Sequence, residues 1–258
     1  MRLVFAGTPT PAVPSLEALA AGPHELAAVL TRPDAPVGRK RILTPSPVAV
    51  CAAELGLPVD RPAALDAEYA TGLAALQPDL GVVVAYGALL RDPLLSLPRL
   101  GWINLHFSLL PRWRGAAPVQ HALLAGDRET GASVFQLERG MDTGPVFGML
   151  RRDIGPDETA GDLLDALARD GAGLLSRVVD ELAAGTATAA PQVGEPTLAP
   201  KLSLLDGALD WREPGSACST ASGARHLSRG RSSPSPTGGS RCWPRGGLPR
   251  PSDRSRAG

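Results

Sequence analysis

Little in this 258-residue chain points toward metal, disulfide or membrane chemistry. Its three cysteines, Cys51, Cys218 and Cys242, have no metal-ligand spacing and suggest no disulfide framework. The four histidines, His24, His106, His121 and His226, are scattered and make no zinc cluster. No apolar run reaches the roughly 18 residues that a membrane-spanning helix needs. At the start, Arg2 is followed by a short apolar strand rather than a signal-peptide pattern, so a cytoplasmic protein is expected. Gly7-Thr8-Pro9 lacks the spacing of a GxGxxG or P-loop phosphate cradle, and no nucleotide cofactor is implied there. The length allows one large or two modest domains.

The formal net charge of zero averages two unlike regions. Residues 1–213 carry 18 basic and 25 acidic side chains; residues 214–258 carry eight arginines, no lysine and one acid, Asp253. The body is therefore about −7 and the tail about +7.

Within the body, apolar runs alternate with helical patterns. Residues 2–7, 25–31 and 79–86 read as buried strands, with a short strand at 58–60. Residues 12–21, 47–55, 67–76 and 118–125 read as helices. Segments 129–138 and 145–154 read as β, and 159–183 carries a helical apolar stripe with a possible break near Gly171 and Gly173. This alternation predicts an α/β fold, Rossmann-like, with a mostly parallel sheet and flanking helices. Residues 32–47 form a long connection with Arg32, Arg39, Lys40 and Arg41 against one acid, Asp34. It is either a solvated basic loop or a contact for a phosphate backbone.

Residues 101–120 organise the rest. Asn104 and His106 lie two apart on a strand read over 102–108, so both point to one face while Ile103 and Leu105 point to the other. The strand ends in a Pro111-Arg112-Trp113-Arg114-Gly115 turn, with Pro118 opening a helix. An amide and an imidazole at the carboxyl end of such a strand suit an α/β active site, or a polar strand whose histidine is merely hydrogen-bonded. Asp142, between Gly140 and Gly144, is either a self-capping turn residue or a carboxylate pushed into a site.

Asn104-x-His106, then Ser108-Leu109-Leu110-Pro111 and Trp113-Arg114-Gly115-Ala116-Ala117-Pro118-Val119-Gln120, resembles the folate-dependent formyltransferase family. Phe5-Ala6-Gly7-Thr8-Pro9, Thr44-Pro45-Ser46-Pro47-Val48, Val82-Val83-Val84-Ala85-Tyr86-Gly87 and Met141-Asp142-Thr143-Gly144 fall in the family's order, over about residues 1–211. The resemblance implies transfer of a formyl group from 10-formyltetrahydrofolate to an amine, expected to be the α-amine of methionyl-initiator tRNA. A glycinamide ribonucleotide or amino-sugar acceptor is the alternative, as is a folate-binding remnant without useful turnover. By the same resemblance Asn104, His106 and Asp142 are catalytic. Asn104 Nδ2 and a protonated His106 would stabilise the formyl oxygen, and Asp142 would keep His106 cationic. Ser108, Leu109, Leu110 and Pro111, with Tyr86, Gly87 and Leu89, would form the folate site. Arg39, Lys40 and Arg41 would meet tRNA. No metal and no covalent enzyme intermediate are implied, and a monomer is expected.

The match stops near Trp211. Residues 214–258 hold ten serines, eight glycines and six prolines, with Leu227 and Leu248 the only aliphatic residues beyond alanine. Such a composition cannot offset chain entropy by apolar burial, and 212–258 is expected to be disordered where the family continues into a β-barrel-like tRNA-binding domain. An out-of-frame stretch and a basic RNA-binding arm are the two explanations that fit.

Overall fold

A computed structural model of the chain describes residues 1–203 and Asp206; the tail expected to be disordered lies outside the described residues. The first strand, β1 (Arg2–Gly7), is followed by a single 3-10 turn and helix α1 (Val13–Ala20), then β2 (Glu25–Leu30). A small hairpin, β3 (Ala35–Val37) and β4 (Ile42–Thr44), precedes α2 (Pro47–Glu54), β5 (Val59–Asp60) and α3 (Ala67–Ala74). Next come β6 (Leu80–Val84), β7 (Trp102–His106), the two-residue β8 (Arg114–Gly115) and α4 (Pro118–Leu124). The chain continues with β9 (Glu129–Gln136), β10 (Val146–Asp153), α5 (Ala160–Ala184) and β11 (Leu198–Ala199).

Seven strands form one sheet in the order β10-β9-β7-β6-β1-β2-β5. From β7 to β5 every pairing is parallel, and β9 and β10 add two antiparallel strands at one end. The mostly parallel α/β sheet expected from the alternation is therefore what forms. Its central strands are apolar on both faces because both faces are covered. On one face Leu3, Phe5, Val82, Ile103 and Leu105 join α1, α2, α4 and α5 in the larger core. On the other, Val4, Ala6, Val83 and Trp102 pack with Leu73 of α3 and with Tyr86 and Leu94.

One glycine is explained by that second core. A Cβ at Gly81 would lie 2.1 Å from the ring of Trp102, which is fully buried and donates from Nε1 to the Leu94 carbonyl at 2.8 Å. Gly81 gives way so that the indole can lie flat across the neighbouring strand.

Two expectations are corrected. Helix α5 runs unbroken through Gly171 and Gly173. A Thr159–Asp162 capping box starts it, and Gly185 at φ 70° ends it. Gly171 is not a break but a packing choice, since a Cβ there would crowd the Leu105 side chain at 3.1 Å. The connection 32–47 is not simply a loop, because β3 and β4 pair within it, Val37 opposite Ile42. Among the described residues no helix is long and apolar enough to cross a membrane.

Candidate active site

Parallel strands put their carboxyl ends along one edge, and the order β6-β1-β2 reverses there around β1, which leaves a crevice between the loops that follow. Thr8 follows β1, Tyr86 and Gly87 follow β6, and Phe107 and Ser108 follow β7. Thr8 Oγ1 donates to the Tyr86 carbonyl at 2.8 Å and ties two of these loops together. The basic hairpin rises from the same edge, because it follows β2.

Asn104 and His106 share a face of β7, opposite Phe135 and Ser133 of β9. His106 is 6% exposed, and its ring meets Phe135 edge-on with centroids 6.3 Å apart. Its Nε2 lies 2.8 Å from the Trp113 carbonyl, an acceptor only, so Nε2 carries a proton and donates. Nδ1 faces the Asp142 carboxylate, 3.9 Å from Oδ2. That distance is too long for a hydrogen bond but short for two groups this buried.

Two effects oppose each other at His106. Burial pushes its pKa below the ordinary 6.5; Asp142 and the Trp113 carbonyl pull the other way and do not prevail. With Nε2 donating to the Trp113 carbonyl, a neutral form of the ring would keep its lone pair on Nδ1, facing Asp142.

Asp142 occupies a left-handed backbone conformation, φ 51°. An aspartate tolerates this better than a bulky residue. Its Oδ2 accepts the Gly115 amide at 2.7 Å, which aims the carboxylate toward His106. Gly115 itself sits at φ 126°, and a Cβ there would lie 2.6 Å from the Ala199 carbonyl. The carboxylate therefore is not capping its own turn; it reaches across to the β8 backbone.

Asn104 makes no side-chain hydrogen bond among the described residues, and its Oδ1 is buried without a partner. The Tyr86 hydroxyl is also buried and unpartnered, with its pKa raised by that burial. Unpaired polar atoms in such positions are costly unless something else meets them.

The remaining expected folate residues separate into two groups. Ser108 Oγ donates to the Arg112 carbonyl at 2.6 Å, and the Ser108 carbonyl accepts from Ser133 Oγ at 2.6 Å. Ser133 also accepts the Leu110 amide, so these residues stiffen the 108–112 turn. Leu110 is buried with Phe135 and Val146, Leu109 lies against Gly131, and Pro111 is buried. The Tyr86 ring belongs to the α3-side core, Gly87 takes φ 81°, and Leu89 is 72% exposed on the rim.

Arg39, Lys40 and Arg41 lie on the exposed hairpin turn, and none has an ion-pair partner among the described residues. Val37, Ile42 and Leu43 beside them are more than half exposed. The basic residues are therefore on the same edge of the sheet as His106 but on a separate element.

With this geometry in hand, the comparisons decide the family. The sequence profile described as formyl transferase matches residues 1–179. The chain belongs to the formyl transferase family. It is 66% identical over 211 residues to a Clavibacter sepedonicus protein named methionyl-tRNA formyltransferase, covering 82% of this chain and 69% of that one. A protein of the same name from Leifsonia xyli subsp. xyli is 68% identical over 214 residues, covering 83% and 70%. Among solved structures, a sugar 3N-formyl transferase determined in the presence of dTDP and 5-N-formyl-THF has a TM-score of 0.68 at 16% identity, covering 87% of this chain and 78% of that one. A glycinamide ribonucleotide transformylase from Symbiobacterium toebii has a TM-score of 0.62 at 23% identity, covering 72% and 88%. These two share the fold of this formyltransferase.

Several site residues had no signal in the sequence. Gln192 donates from Nε2 to the Asp142 carbonyl at 2.8 Å and to the Gly144 carbonyl at 2.9 Å. Its Oε1 accepts from Arg114 Nη2 at 2.6 Å and Nε at 3.1 Å. Thr197 receives the Trp113 amide at Oγ1 and the Arg114 amide at its carbonyl, both at 2.8 Å. Asp127 takes two hydrogen bonds from Arg112 and one from Trp113 Nε1. No spacing rule links residues 50 to 84 positions apart.

Proposed function

We propose that this formyltransferase moves a formyl group from 10-formyltetrahydrofolate to the α-amine of methionyl-initiator tRNA. What carries the reading is identity of 66 to 68% to proteins named methionyl-tRNA formyltransferase, sustained over more than 200 residues. The cationic hairpin, without ion-pair partners among the described residues, supports a polyanionic acceptor, because Arg and Lys on an exposed turn are suited to phosphates. The unpaired Asn104 amide and Tyr86 hydroxyl support a polar ligand at the carboxyl edge of the sheet.

The chemistry is acyl transfer. The neutral amine donates its lone pair to the formyl carbon, and the carbonyl π pair moves onto oxygen. Asn104 Nδ2, which makes no hydrogen bond among the described residues, donates to that developing oxyanion. The nitrogen that attacked must lose a proton. His106 Nδ1 holds the lone pair that can take it, directly or through one water. As the proton arrives, the imidazolium lies between the Trp113 carbonyl and the Asp142 carboxylate, both of which stabilise it. The oxyanion then collapses, the bond from the formyl carbon to the folate nitrogen breaks, and that nitrogen recovers a proton. His106⁺ is the group positioned to return it. Histidine thus acts as a base first and an acid second, a cycle that a permanently protonated ring could not begin.

The test is formyl transfer from 10-formyltetrahydrofolate by the 258-residue chain, with initiator and elongator Met-tRNA compared. Selective formylation of the initiator is expected. Faster transfer to glycinamide ribonucleotide or an amino sugar would refute the acceptor, and folate binding without any transfer would refute the activity.

A further inference from the structure

We propose that Gln192 is a positioning residue for this acyl transfer: its carboxamide clamps the Asp142 turn to the Arg114–Gly115 strand and so holds the carboxylate against His106. The inference rests on the functional reading above and assigns a role to a residue well outside the Asn-x-His and Asp142 motifs.

Gln192 is half-buried, and all four of its side-chain hydrogen-bonding positions are used. Two N–H groups reach the carbonyls of Asp142 and Gly144, and two lone pairs receive Arg114 Nε and Nη2. The orientation of the amide is forced, because a guanidinium only donates and a carbonyl only accepts. The clamp takes hold of the left-handed residue's own carbonyl and of the Gly144 carbonyl two residues on, so it supports a backbone conformation that a non-glycine residue adopts at a cost.

The contacts close a ring. Gln192 holds Arg114; the next residue, Gly115, gives its amide to Asp142 Oδ2; and the Asp142 carbonyl returns to Gln192. The segment that carries Gln192 is anchored on both sides. Ala190 bridges to Val146 at the start of β10, and β11 pairs in parallel with β8. A strap that begins after α5 thus crosses back over both catalytic loops. It lies beyond the residues matched by the family profile, which end at 179. The groups against His106 are Asp142 from the clamped turn, the Trp113 carbonyl from the turn before β8, and the edge of Phe135 from β9. Of these the clamp sets the position of Asp142.

Gln192→Ala and Gln192→Glu separate the clamp from general stability. Glutamate keeps an acceptor for Arg114 but offers no donor to the two carbonyls. In the full chain both variants are expected to lower kcat at least tenfold, with KM for 10-formyltetrahydrofolate and for Met-tRNA within threefold of the parent. The Gly115 amide, which reports its bond to Asp142 without reference to turnover, is expected to exchange with solvent at least tenfold faster, while the amides of Ile103 and Leu105 in β7 keep their rates. The proposal is overturned if kcat stays within threefold, if Gln192→Glu matches the parent, if Gly115 exchange is unchanged, or if β7 exchange rises equally. A parent chain that formylates no Met-tRNA would refute the functional reading instead, and Gly115 exchange would still judge the clamp.

Discussion

Replacing Asp142 by asparagine removes one charge and little else. Asparagine tolerates the left-handed φ of 51° as well as aspartate does, and its Oδ1 can still accept the Gly115 amide. What disappears is the attraction between the carboxylate and an imidazolium 3.9 Å away. At an effective dielectric of about 20 that attraction is about 4 kcal/mol, and it acts to raise the pKa of His106. Burial already holds His106 below its ordinary value with Asp142 present, so without the charge the ring resists protonation further. If the transition state contains the imidazolium, most of the 4 kcal/mol appears in the barrier, and kcat falls by roughly two to three orders of magnitude. The assay is single-turnover formylation of initiator Met-tRNA at saturating folate, with a thermal melt to verify that the fold survives. A folded Asp142→Asn protein that retains kcat within tenfold would refute the proton-transfer role of the pair.

Four further outcomes follow from the same geometry. Folding hides a neutral His106 from a proton that the unfolded chain takes up below about pH 6.5, so stability is full above that pH and declines as pH falls from it toward the lower folded-state midpoint. In urea unfolding, His106→Gln is expected to lose less stability than the parent between pH 7.5 and 5; parallel losses would contradict a buried neutral ring. Gly81→Ala drives a methyl into the buried Trp102 ring and should cost about 3 kcal/mol in denaturant unfolding, against an expectation of no change if the sheet can open there. Changing Arg39, Lys40 and Arg41 together to alanine should raise KM for tRNA, leave kcat near the parent value, and lower the slope of log KM against log salt by about 2 if each side chain meets a phosphate. An unchanged slope would remove the hairpin from the tRNA interface. Thr159→Ala, which breaks the capping box of α5, should cost about 1 kcal/mol without altering kcat per folded molecule; a fall in kcat would couple the helix start to the site.

The parts of this molecule that were legible in sequence are those where one local pattern settles the structure. Runs such as Leu80–Val84 are apolar at every position because both faces of a parallel strand are covered, and they read as buried strands without any tertiary information. Asn104 and His106 share a face by the period of the strand alone. The hairpin at residues 35–44 was less legible, because its three-residue strands, Ala35-Pro36-Val37 and Ile42-Leu43-Thr44, flank a basic turn and are exposed throughout, so no apolar alternation marks them. Gly171 in α5 reads as a possible break by propensity, but its lack of a side chain serves the Leu105 contact on the sheet.

The proton on His106 shows why the site itself was only half legible. Sequence supplies an acid for every plausible partner, and an Asp beside a His suggests an imidazolium. Whether burial or the carboxylate prevails depends on how much water the fold removes and on a separation of 3.9 Å, neither of which is a property of spacing. The strap is a stronger case of the same point. Gln192 sits in a Pro/Gly-containing stretch that pattern reading passes over, 50 residues from Asp142 and 78 from Arg114. Its position matters only because α5 returns the chain to the carboxyl edge of the sheet, where β11 pairs with β8. The three catalytic candidates were visible because they stand in two local motifs; the geometry that makes them one site is held by residues whose relation to them exists only after folding.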